Sequence, residues 1–174
     1  DLAQLQALQR RKGLDDRHMV RALRAARLDA DAPDPSVETL LHAFLPLKFI
    51  DHTHADAVLA LTNQPDGAEL CRQVFGPEVI IQPYAMSGFQ LAKQAARLAS
   101  DNPEAHALVV LKHGLFSFGD TARQAYGRML RLVSAAERHL RRAPPRSGRA
   151  RPKARASMAA AKLAPLLRGA VAEV

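Results

Sequence analysis

Only one cysteine, Cys71, occurs in the 174 residues, so no internal disulfide can form. That usage suits a reducing compartment, and the cytoplasm is the expected location. No apolar run approaches the ~20 residues needed to span a bilayer, and no basic-then-apolar signal peptide opens the sequence. A membrane partner is therefore not expected. Internal repeats are lacking, and so is a Gly-rich dinucleotide loop. An opening Asp1 in place of methionine is what a processed product, or one part of a longer protein, presents. A surplus of charge is missing from most of the chain as well. Residues 1–140 hold 16 Lys+Arg and 16 Asp+Glu, whereas residues 141–174 hold nine basic residues and one acid, Glu173. The formal charge of +8 thus belongs to the tail. A basic fold would point to a phosphate-backbone partner. A basic tail on a neutral body reads instead as a solvated linker, and nucleic acid is not expected to bind.

What is present suffices for one domain with a real core. Hydrophobic residues make up 48%, ordinary for a globular protein. Residues 2–28 read as two helical pieces divided by Gly13, with Leu2, Leu5 and Leu8 on one stripe and Met19, Val20, Leu23 and Ala26 on another. After the proline-bearing loop 29–35, Ser36 is expected to cap a helix through Glu38, Leu41 and Phe44 that Pro46 ends. Phe49 and Ile50 lead a strand into Asp51-His52-Thr53-His54, and short helices follow to Phe75. Val79 to Ile81 reads as a buried strand, and Ser87 as the cap of a helix through Leu98. Residues 107–111 and 115–118 read as further strands, joined by a His113-Gly114 turn. Asp120 then caps a long helix to about Arg141, with Leu130, Val133, Glu137 and Leu140 near helical spacing. Alternating strands and helices put helices on both faces of a sheet, and the short link between the last two strands requires an antiparallel pair.

The histidines carry the chemistry. On a strand, residues i and i+2 point to one face, so His52 and His54 can reach a single ion. His113 ends another apolar run just before a glycine. Three neutral imidazoles with an open fourth position are the ligand set of a catalytic zinc. His18 and His139 lie among charges on amphipathic helices and read as surface residues. His106 has no obvious partner, and His42, four residues after Glu38, reads as a packing residue. Glu38 itself has two readings: a first-turn glutamate favoured by the helix dipole, or a carboxylate that moves a proton beside the metal.

Residues 35–142 resemble the class II aldolase/adducin family. The resemblance rests on PSVETLLHAFLPLKFIDHTHADAVLALTN followed by LKHGLFSFGDTARQAYGRMLRLVSAAE, which combine Ser-x-Glu-Thr, His-x-His and His-Gly-Leu in order. The match is closest to the aldolase part of bifunctional rhamnulose-1-phosphate aldolase/alcohol dehydrogenase proteins. It implies an α/β fold of three α/β/α layers around a mixed, largely antiparallel sheet. It also implies one zinc on His52, His54 and His113, with Glu38 as acid/base. A homo-oligomer is implied too, commonly a cyclic tetramer with sites near subunit interfaces.

The reaction implied is retro-aldol cleavage of a ketose 1-phosphate, giving dihydroxyacetone phosphate and an aldehyde, lactaldehyde in the case of rhamnulose 1-phosphate. An epimerase, a dehydratase or a non-catalytic adducin-like interaction module are the alternatives on the same fold. Two family features have no counterpart. No Gly/Asn/Ser-rich phosphate-binding stretch precedes Ser36, and neither Tyr84 nor Tyr126 matches the family's proton-donor tyrosine. Metal binding is therefore expected of these residues, and efficient sugar-phosphate cleavage of a chain with such an upstream segment. The expected division is an aldolase/adducin-like domain over 1–142, a basic linker over 143–157 and a short helical segment over 158–174. In the bifunctional relatives such a stretch leads into a dehydrogenase domain.

Overall fold

The computed structural model describes residues 1–142, so the expected linker and terminal helical segment lie outside the described residues. Four strands, β1 (Phe49–Thr53), β2 (Val79–Gln82), β3 (Ala107–Val110) and β4 (Gly114–Gly119), form one sheet in the order β1-β4-β3-β2. β1 and β3 both pair antiparallel with β4, and β2 pairs parallel with β3. The sheet is mixed and largely antiparallel, as expected.

Helices cover both faces. One layer holds α1 (Leu2–Leu8), α2 (Asp16–Ala25), α3 (Thr39–Phe44) and α6 (Phe89–Asp101), with Leu23, Leu41, Phe44 and Ala95 packed on Leu108, Val110 and Phe116. The other holds α4 (Asp56–Thr62), α5 (Gly67–Phe75) and α7 (Ala122–Arg142), with Val58, Leu61, Cys71 and Met129 packed on Ala107, Val109 and Leu115. Every residue of β3 is buried. A strand covered on both faces needs apolar side chains in both directions, which is why it reads as an unbroken run.

Several local expectations are corrected. Ser36 does not cap α3: its hydroxyl accepts from the Glu38 N–H at 3.2 Å, closing a turn that leaves Glu38 itself at the helix boundary. Ser87 does not cap α6, whose first turn carries no side-chain cap. Thr121, not Asp120, caps α7. Its Oγ1 accepts from the Gln124 N–H at 3.2 Å, while Gln124 Oε1 reaches one residue further back and accepts from the Asp120 N–H at 2.9 Å. On α7 the buried stripe is Ala125, Met129 and Ala136, whereas Leu130 and Leu140 are exposed. His106 has a partner after all, with Nε2 3.7 Å from Glu78 Oε2.

Candidate metal centre

β1 and β4 run side by side with His52 opposite Phe116 and Thr53 opposite Leu115. His52 therefore stands on the same face as Ile50, toward the layer that holds α3. Its ring lies flat on Phe116, with centroids 3.8 Å apart and planes 7° from parallel. His54 follows one residue beyond the strand. The turn from β3 to β4 returns at the same end, closed by the His113 N–H donating to the Val110 carbonyl at 3.1 Å. Lys112 takes a left-handed conformation in that turn, with φ 60°. The start of α3 supplies Glu38 from the covering layer.

These four side chains converge. His52 Nε2 is 2.9 Å from His54 Nε2, which is 3.4 Å from His113 Nε2. Glu38 Oε1 lies 3.4 Å, 3.6 Å and 3.0 Å from the Nε2 atoms of His52, His54 and His113. Ligands ~2.0–2.1 Å from a tetrahedral zinc stand roughly 3.3 Å from one another. Five of the six separations, at 2.9–3.6 Å, lie near that spacing, so the four side chains form a donor set that can hold one divalent ion.

The ionic states fit as well. A backbone carbonyl can only accept, so His52 Nδ1, 3.0 Å from the Leu115 oxygen, carries the proton and leaves the Nε2 lone pair facing the cluster. Burial pushes the His52 imidazole down to about 4, chiefly by desolvation of the charged form. Desolvation also lowers His113, against the pull of the Glu38 carboxylate. The side chains of His52 and His113 are 11% and 8% exposed, while that of His54 is 54% exposed, so the centre opens to solvent on the His54 side.

Gly114 was expected to serve the turn, but its reason is contact. A Cβ there would stand 2.7 Å from the Thr53 carbonyl oxygen, 2.8 Å from His54 Cδ2 and 3.0 Å from His52 Cε1. Only a residue without a side chain lets β4 start beneath the two rings. Two participants escaped the sequence reading. Phe116 is the floor under His52, and an alternating apolar strand gives no sign of that. Ser87 approaches His113, and its place before a helix signalled a cap instead. His42, expected to pack, sets its ring edge toward Phe116 at 6.1 Å and lies outside the cluster. His18 pairs with Asp15 at 2.6 Å on the surface. A cavity of about 900 Å³ opens at the other end of the sheet, lined by Arg72, Glu78, Leu98, Asp101 and Glu104 among others, and holds none of the four residues.

Comparison with known proteins agrees with the geometry. The family model for the Class II Aldolase and Adducin N-terminal domain matches residues 11–140. A Bacillus subtilis (strain 168) protein named uncharacterized oxidoreductase YuxG is 34% identical over 139 residues, covering 80% of this chain and 20% of that protein. The N-terminal class II aldolase domain of a conserved protein from Thermoplasma acidophilum has a TM-score of 0.74 at 37% identity, covering 80% of this chain and 64% of that one. An aldolase II superfamily protein from Pseudomonas syringae shares the fold, with a TM-score of 0.53 at 18% identity over 66% of this chain and 50% of that one. This chain therefore spans less than two thirds of each of these relatives. With most of its length matched in sequence, and its four-stranded sheet and helical layers shared, the chain belongs to the class II aldolase and adducin family.

Proposed function

We propose that His52, His54 and His113 hold one zinc ion and that the domain catalyses retro-aldol cleavage of a ketose 1-phosphate of the rhamnulose 1-phosphate type. The observation that carries this reading is the meeting of three imidazole nitrogens and one carboxylate oxygen, all within 4.8 Å of one another. When bound, the ion supplies Lewis acidity that polarises the substrate's oxygens and offsets the negative charge left by carbon–carbon cleavage.

The chain's own residues do the rest. The three imidazoles fix the position and stay neutral ligands. The Leu115 carbonyl keeps His52 in the tautomer that presents Nε2. In the cleavage, the hydroxyl oxygen loses its O–H proton to solvent as its carbon, keeping its own hydrogen, becomes the aldehyde. The electron pair of the broken bond passes to the carbon beside the ketone. Glu38, 3.0–3.6 Å from all three ligand nitrogens, delivers the proton that this carbon takes up. The products are dihydroxyacetone phosphate and an aldehyde.

The oxidoreductase name of the much longer Bacillus relative adds a further element to the reading. In such a protein this domain would work beside a part with oxidoreductase activity.

Glu38→Gln tests the assignment. It keeps the shape and removes the proton, so zinc content measured by elemental analysis should stay at the unsubstituted level. Release of dihydroxyacetone phosphate should fall ~10²–10⁴-fold, the usual worth of a positioned acid or base. Near-normal turnover by the variant would return Glu38 to a helix-boundary role. The two proteins are compared at equal zinc loading.

A further inference from the structure

The turn before α6 forgoes an ordinary interaction. A serine just ahead of a helix is among the preferred capping residues. Here α6 starts at Phe89 with Gly88 at its boundary, and no side chain caps it. Gly88 has φ 123° and ψ −150°, a conformation glycine alone adopts readily. It is buried beside α2, where an added Cβ would come within 3.4–3.5 Å of the end of the Met19 side chain. That turn carries the Ser87 hydroxyl away from the helix and toward His113, placing Oγ 3.4 Å from Nδ1.

The two buried imidazoles can then be compared. Each presents Nε2 to the cluster and has a single oxygen near Nδ1. For His52 that oxygen is a strand carbonyl, fixed by the sheet. For His113 it is a hydroxyl, supplied from a loop. Once Nε2 is a ligand, the proton must reside on Nδ1, and it needs an acceptor there. We propose that Ser87 is the positioning residue of the third ligand: its hydroxyl accepts the Nδ1 proton of His113 and holds that ring in the ligating tautomer and orientation. The inference rests on the metal-centre reading above and names a residue that touches the site only through His113.

Outer partners of this kind are worth ~10–100-fold in metal affinity. The test compares unsubstituted protein, Ser87→Ala and Ser87→Thr. Zinc affinity is measured by chelator competition, together with the melting temperature of each metal-free protein and the exchange rate of the His113 Nδ1 proton by NMR in the zinc-loaded form. Ser87→Ala should bind zinc ~10–100-fold more weakly and exchange its Nδ1 proton faster, at an unchanged metal-free melting temperature. Ser87→Thr, which keeps the hydroxyl, should restore both. Equal affinity in Ser87→Ala and unsubstituted protein overturns the proposal and leaves the metal centre standing. Equal weakening in both variants assigns the effect to packing and overturns it too. If the unsubstituted protein takes up no zinc, the metal-centre reading itself falls.

Discussion

The two ends of the sheet use the same residue types to different effect. At the end where β1 stops and β4 starts, His52, His54, His113 and Glu38 meet within 4.8 Å of one another, three of them largely buried. At the opposite end His106 and Glu78 also form a histidine–carboxylate pair, 3.7 Å apart, with Glu78 largely in water. Distance alone scarcely separates them. Number of partners and desolvation do: four donor atoms converge with two of the imidazoles desolvated, an arrangement that can hold a cation, whereas an exposed pair is screened. A second difference is clearance: the metal end depends on a glycine under two rings.

The sharpest way to break this contrast is His113→Ala. Two imidazoles and a carboxylate make a much weaker site than three imidazoles, so elemental analysis should find most of the zinc gone. Undiminished zinc would refute the ligand assignment.

Gly114→Ala comes next. A methyl group 2.7 Å from the Thr53 carbonyl forces β4 or the rings to move, at a cost of about 1–3 kcal/mol. Denaturant melts and zinc affinity should both decline, and a variant normal in both would show that the rings shift freely.

The third prediction uses acid. The unfolded chain takes up a proton on His52 near 6.5, and the folded metal-free site refuses it until about 4. Between those values the unfolded state binds more protons, so stability is full above pH 6.5 and falls as pH drops through the window. The loss levels off below about pH 4. Melts of chelator-treated protein at stepped pH measure this slope, and His52→Ala should flatten it. An equal slope in both proteins would place the loss elsewhere.

The smallest effect belongs to the far end. Glu78→Gln should change stability by less than about 0.5 kcal/mol and leave zinc content untouched, as expected of an exposed pair. A larger change would show that this end is more than a solvated margin.

Much of this was legible from local pattern. The apolar run 107–110 announced a buried strand because both of its faces are covered. His-x-His announced a shared face because a strand alternates with period two. The cap readings at Ser36, Ser87 and Asp120 fared worse. A short polar side chain before a helix has several partners within reach, and only the folded neighbourhood selects among them. On α7 the helical spacing held, but it identifies several stripes, and the packing on the sheet decided that Ala125, Met129 and Ala136 are buried while Leu130 and Leu140 are exposed.

By itself, then, the sequence determined the layered fold and the three histidines, since both follow from periodicity and residue type along short stretches. Tertiary structure decided the rest. It placed Glu38 against three rings from other elements, turned Ser87 from a cap into a neighbour of His113, and made Gly114 a matter of clearance. Those outcomes depend on distances between residues far apart in the chain, and the sequence holds no local record of such distances.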